Sequence, residues 1–264
     1  MPLKITVLLE NRRGKDSQLI AKAGLSLLIQ DQDTTVLFDT GPDASFVHNA
    51  TLMGVDLANI DAVVLSHGHY DHCGGVSALP HGTRIICHPA IIDKRFSSVT
   101  LFGYTPKIKK LSLDIDYSPY RMQFSRTPLD ISQSIMWSGE IHINKPHAYG
   151  VLAGTPDSPD YIQDEGVLIY KSSRGLVIVT GCGHRGIGGI VEHCKNITGI
   201  NQVYALIGGF HLRCASPSTL LSTKKLIAEQ RIEKVMGCHC TGLWGRLWIP
   251  NMTSPMTGDV IYLD

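Results

Sequence analysis

The 264-residue chain has almost no charge of one sign to spare: 24 Lys and Arg stand against 23 Asp and Glu, a net charge of +1. That balance supplies neither the basic field that holds nucleic acid nor an acidic tail, and it disfavours RNA processing. Long apolar runs are missing as well. No stretch approaches the roughly 20 residues of a membrane-spanning helix, so no membrane partner is expected. The start, Met1-Pro2-Leu3-Lys4-Ile5, enters a strand-like run without the basic and apolar regions of a secretion signal. Seven cysteines, an odd number, then read as reduced thiols in a cytoplasmic protein. There is no internal repeat and no low-complexity segment. The apolar fraction of 43% suits a full core. The length fits one large domain or two small ones, and a homo-oligomer stays open.

What the chain does have is concentrated in Ser66-His67-Gly68-His69-Tyr70-Asp71-His72. Three imidazoles and a carboxylate within six positions are donors that suit zinc, iron or manganese. The β-branched run Ile60–Leu65 before them reads as a buried strand, and Cys73-Gly74-Gly75 after them as a turn. The cluster is therefore expected on a loop at a strand end. Such a loop can wrap two adjacent metals, His67 and His69 facing one, Asp71 and His72 the other.

Further strands are expected at Lys4–Glu10, Leu25–Gln30, Thr34–Asp39, Arg84–His88, Val167–Tyr170, Gly175–Thr180, Gln202–Ile207, Glu233–Met236 and Asp259–Leu263. Helices are expected at Ala44–Met53, Gly74–Leu79 and Gly186–Thr198. Another starts at Ser216-Pro217, with Ser216 as N-cap, and runs to about Gln230. The stretch from Ile91 to Gln163 is rich in Pro, Ser and Gly with scattered aromatics, among them Phe102 and Tyr104. It reads as an irregular lid or binding insertion. Two sets of strands with helices between them suit two sheets packed face to face with helices outside. Three later strands end in glycine and histidine: Gly181-Cys182-Gly183-His184, Gly208-Gly209-Phe210-His211 and Gly237-Cys238-His239-Cys240. Cys238 and Cys240 lack the second pair that a separate zinc knuckle needs.

His-x-His-x-Asp-His after an apolar strand, with Val36-Leu37-Phe38-Asp39-Thr40-Gly41 upstream, resembles the metallo-β-lactamase superfamily. The resemblance implies an α/β fold, a four-layer αββα sandwich, as a single domain over residues 1–264 with the insertion at about 91–163. It implies a dinuclear site at one edge of the sandwich: two divalent ions, zinc first, with manganese or iron as alternatives. By the same pattern His184 joins His67 and His69, and His239 joins Asp71 and His72. The acid that commonly bridges the metals is missing, and Cys182 stands at that strand end as an alternative ligand. Asp39 is expected to orient a ligand histidine. His211 is either a core histidine or a site residue.

Three phrases, Trp137-Ser138-Gly139-Glu140-Ile141, Gly181–His184 with Gly186-Ile187, and Gly209–Leu212 followed by His239–Gly242, narrow the resemblance. They are similar to the branch that includes the archaeal dihydropterin–ribofuranosylaminobenzene phosphate synthase and related metal-dependent hydrolases. The chain departs from that branch in having Asp164-Glu165 in place of paired aspartates and His147 where an acid is common. The resemblance implies a small-molecule substrate, phosphorylated or an ester. In a hydrolase, a metal-bound hydroxide would attack, Asp71 would orient it and His211 would assist the leaving oxygen. A pterin-type transferase would instead bind phosphate through Lys107, Lys109, Arg121 or Arg126. A protein that binds metal without turnover is the remaining alternative.

Overall fold

The computed structural model describes residues 2–15, 18–99, 105–144 and 146–264, so Phe102 and Tyr104 lie outside the described residues. Among them, seven strands form the first sheet, in the order Val260–Leu263, Leu3–Leu9, Ser26–Gln30, Thr35–Phe38, Ala62–Val64, Arg84–Cys87 and Arg121–Phe124. Six form the second: Lys234–Cys238, Val203–Gly209, Gly175–Thr180, Leu168–Ser172, Ile135–Trp137 and Leu129–Asp130.

Alternation along the strands sets the layers, because successive side chains point to opposite faces. Val36 and Phe38 pack between the sheets with Val64, Trp137, Val177 and Val179. Leu37 and Val63 point outward and meet Phe46 and Ala50 of the helix Ser45–Leu52. On the far side, Ile178, Leu206 and Val235 meet Ile187, Ile190, Val191 and Cys194 of the helix Ile187–Thr198, and Leu220 of the helix Pro217–Glu229. Helix, sheet, sheet and helix make the αββα sandwich. Each fully buried Leu, Ile, Val or Phe contributes about 1.5–3 kcal/mol, so the inter-sheet layer and the two helix-facing layers together are the main source of stability. No helix among the described residues is long and apolar enough to cross a membrane.

Two local expectations differ from the structure. The stretch 91–163, expected to be irregular, holds a third sheet in the order Ser158–Asp160, Gly150–Leu152, Arg95–Ser98 and Lys107–Lys110. It also supplies Arg121–Phe124, Leu129–Asp130 and Ile135–Trp137 to the two main sheets. These strands are short, and Lys107–Lys110 is exposed throughout, so no apolar alternation marked them. The metal-loop motif is not all loop either. It runs irregularly, with a bend at Gly68, to an extended His69, and Tyr70–Cys73 forms one helical turn. His67 and His69 precede the turn, while Asp71 and His72 reach the neighbouring space from within it.

Candidate metal centre

Parallel strands of the first sheet and three of the second end at the same edge, and their C-terminal loops meet there. His67 and His69 follow Ala62–Val64, Cys182 and His184 follow Gly175–Thr180, His211 follows Val203–Gly209, and His239 follows Lys234–Cys238. Glycine makes the convergence possible. A Cβ on Gly181 would lie 2.1 Å from Ser66 Oγ. Asp39, His211 and His239 all have positive φ, at 58°, 49° and 49°. Such backbone costs a non-glycine residue about 1–3 kcal/mol and persists where the surroundings enforce it, commonly at functional sites.

The outer hydrogen bonds fix which ring nitrogens face inward. Asp39, fully buried, accepts from Ser66 N at 2.7 Å, Ser66 Oγ at 2.8 Å and His72 Nδ1 at 2.6 Å. The Ser66 hydroxyl has spent its proton on Asp39, so His67 Nδ1 donates to Ser66 Oγ at 2.9 Å. His239 Nδ1 donates to Asn11 Oδ1 at 2.9 Å, whose oxygen also accepts from Gly24 N. In each neutral ring the inward Nε2 is then a bare lone pair.

Those lone pairs collide. His72 Nε2 lies 3.3 Å from His239 Nε2 and 3.2 Å from Cys182 Sγ. Two bare nitrogens at hydrogen-bond distance repel unless a proton or a metal ion sits between them. Around them, the ligand atoms of His67, His69 and His184 lie within 4.8 Å of one another, and so do those of Asp71, His72 and His239. Cys182 stands between the groups, sharing a third cluster with His67 and His72. His69 Nε2 and both ring nitrogens of His184 are buried with no hydrogen-bond partner among the described residues. Such orphans cost about 1–3 kcal/mol each unless something binds them. The donor set therefore fits divalent metal.

The electrostatics agree. Burial, followed by the neighbouring imidazoles, holds His67 and His184 well below the ordinary histidine range, and burial brings His69 down to about 3. Neutral imidazole is the form that ligates metal. His72 differs: burial opposes its charge, but Asp39 overrides it and raises His72 to about 9, so without metal a proton on His72 Nε2 separates it from His239 Nε2. Burial also opposes the charge on Asp71; the His239 ring, whose Nε2 lies 3.4 Å from Asp71 Oδ2, and the charge of His72 nonetheless hold its carboxyl well below the carboxylate range.

Several contributing residues carried no signal in the sequence. Asp164 accepts from Gly68 N at 2.7 Å and pairs with Arg95 at 2.7 Å, pinning the His67–His69 segment. Glu165 accepts from His184 N and Arg185 N at 2.9 and 2.7 Å, pinning the turn that carries His184. Glu10 accepts from His239 N at 2.8 Å. Tyr149 donates to His184 O at 2.9 Å and stacks on His184, His211 and His147. Cys240, set aside above, is held at the site by Cys182 O and His211 N. Only tertiary pairing gives these residues their roles. Asp164-Glu165 alone carried a hint, by occupying the place of an expected acidic pair.

The cluster opens into a cavity of about 940 Å³ lined by His69, Asp71, His184, His211 and His239. Tyr70, Lys109, His147, Tyr149 and Arg213 line it further out. Of the four basic residues singled out in the middle segment, Lys109 faces the cavity. Lys107 pairs with Asp157, Arg121 donates to Gly82 O, and Arg126 reaches Glu140 and His88.

The sequence profile of the metallo-beta-lactamase superfamily matches residues 20–193. The chain belongs to that superfamily. The superfamily is largely enzymatic, and its fold implies divalent metal binding. The chain is 33% identical over 258 residues to the 7,8-dihydropterin-6-methyl-4-(beta-D-ribofuranosyl)-aminobenzene-5'-phosphate synthase of Methanocaldococcus jannaschii, covering 91% of this chain and 88% of that one. It is 29% identical over 251 residues to an uncharacterized protein of the same archaeon, covering 90% of each. Among solved structures it is similar to Tm1679, a metal-dependent hydrolase of the beta-lactamase superfamily. There the TM-score is 0.83 at 26% identity, over 98% of both chains.

Proposed function

We propose that the chain is a dinuclear-metal-dependent hydrolase of a small anionic substrate, a phosphorylated compound or an ester. One observation carries this: two three-residue ligand groups, His67/His69/His184 and Asp71/His72/His239, lie side by side at the floor of an open cavity. Cys182 completes the set between them, and zinc is the first candidate metal for nitrogen, sulfur and carboxylate donors together. Two divalent ions there would supply Lewis acidity to the bond under attack and a water acidified toward neutral pH.

The chain's own groups do the rest. Asp71 stays ionised, so it would orient an attacking water as well as ligate. His211 is half-buried at the cavity wall, its ring 4.4 Å from that of His184. It retains its proton more readily than an ordinary histidine; burial opposes this, but Cys240 and Glu165 outweigh it. It is placed to protonate the leaving oxygen. Lys109 and Arg213 bring positive charge to the rim, which suits an anionic substrate. The third sheet, which carries Lys109, forms the substrate-binding cover of a single domain. All seven cysteines are unpaired, in keeping with a cytoplasmic protein.

A second reading is favoured by the 33% identity to a synthase over nearly the whole chain. In it the same centre serves a condensation, and the rim cations hold a phosphorylated leaving group. A panel of phosphomonoesters, phosphodiesters and carboxylic esters, offered to zinc-reconstituted protein and to His69→Ala, separates the two. Cleavage of one class that His69→Ala abolishes supports the hydrolase. Full metal occupancy with no cleavage of any class contradicts it and favours condensation.

A further inference from the structure

Cys240 directly follows His239 and lies at the candidate centre, where the reaction described above uses it only as a neighbour of His211. Its Sγ donates to Cys182 O at 3.2 Å and accepts from His211 N at 3.3 Å. The ligand atoms of Cys182, His239 and Cys240 all lie within 4.8 Å of one another. The position is built, not incidental. The thiol occupies space left by Gly209: a Cβ there would come within 2.7 Å of Cys240 Sγ and 3.0 Å of Cys182 Cα. The backbone turns into Cys240 through His239, whose φ of 49° is enforced by Glu10 on its N–H and Asn11 on its ring. In the cluster that joins the two halves of the centre, His67/His72/Cys182, the third donor is sulfur where a carboxylate would serve a hard ion.

We propose that Cys240 ligates the second metal together with Cys182 and His239. That half of the centre is then a two-thiolate site, selective for a soft divalent ion such as Zn²⁺ or Cd²⁺ over Mn²⁺ or Mg²⁺. The inference rests on the reading that the centre holds metal. Thiolates favour zinc-like ions, whereas manganese and magnesium prefer oxygen donors. On binding, each thiol gives up its proton to solvent and its sulfur lone pair to the metal, so filling the site releases protons.

Cobalt is the probe. Metal-free protein, reduced and kept anaerobic, is titrated with Co²⁺ alone and followed from the near-ultraviolet to the visible. A cobalt–thiolate bond gives an intense near-ultraviolet charge-transfer band that nitrogen and oxygen ligands lack. The wild type is expected to show this band. Cys240→Ser is expected to lose about half of it and Cys182→Ser a similar share, one thiolate of two. The double variant is expected to lose it entirely while keeping the visible cobalt bands of the His67/His69/His184 group, which also shows that it remains folded. Independently, Zn²⁺ is expected to protect half-buried Cys240 from a small alkylating reagent, read by peptide mass, while exposed Cys214 reacts throughout. A charge-transfer band that Cys240→Ser leaves intact overturns the proposal, as does unprotected Cys240 in the zinc-loaded protein. Visible cobalt bands with no charge-transfer band overturn it but leave the two-metal reading standing. No cobalt absorption of any kind overturns both.

Discussion

His72 and His239 meet through inward nitrogens at 3.3 Å, and residues outside the proposed ligand groups dictate that approach. Asp39 holds His72, Asn11 holds His239, and Ser66 passes the charge of Asp39 on to His67. Removing that charge while keeping the shape tests the chain. Asp39→Asn is expected to weaken metal binding by about 10–100-fold, the usual cost of losing an outer partner of a ligand. Competition against a chelator reads this, and unchanged affinity would contradict it. His211 makes the complementary case, since it is proposed to move a proton and is outside the ligand groups proposed to hold the two metals. His211→Gln is expected to retain both metals and to lower kcat by about 10²–10⁴ on whichever panel substrate is cleaved. A fall in metal content in step with kcat would assign it to the ligands instead. At this scale the contiguous donors His67 to His72 were legible because their density in six positions has few other readings. Asn11 and Cys240 were not, because an isolated Asn or Cys means nothing until the fold supplies its partner 29 to 228 residues away.

Individual elements carry these residues, and their glycines decide how closely they approach. Gly209 ends a central strand with Gly181 O 2.3 Å and Cys240 Sγ 2.7 Å from where a Cβ would stand. Gly209→Ala is expected to destabilise by about 1–3 kcal/mol, as overpacking does, and to displace the loop bearing Cys240. Denaturant unfolding measures the first effect, and an unchanged midpoint would contradict it. Away from the site, Ser216 caps the helix Pro217–Glu229 by accepting from Thr219 N at 3.2 Å. Ser216→Ala is expected to cost about 1 kcal/mol, with metal binding unaffected. The strands of the two main sheets were readable from β-branched alternation, and this helix from its Ser-Pro start. The third sheet was not readable, since Lys107–Lys110 exposes every residue. The helical turn at Tyr70–Cys73 is too short to establish a period.

Over the whole molecule, one strand-end edge gathers donors from positions 67 to 239 onto a sandwich whose core lies elsewhere. Stability and site chemistry are therefore separable by mutation but linked by metal. Phe38 sits between the sheets, fully buried. Phe38→Ala is expected to cost about 3–5 kcal/mol. The sandwich was legible because two sets of strands with intervening helices and the run after Ile60–Leu65 agree on one architecture. Which late histidine would serve which metal was implied by resemblance, and the pairing proposed above takes the candidate groups His67/His69/His184 and Asp71/His72/His239 as its basis. The measurement that bears most directly on that basis is metal stoichiometry: elemental analysis of protein purified without chelator and then saturated with Zn²⁺, beside His184→Ala and His239→Ala. The account predicts about two metals in the wild type and about one in each variant, since each variant breaks a different ligand group. Fewer than one metal in the wild type, or two retained in both variants, would contradict it.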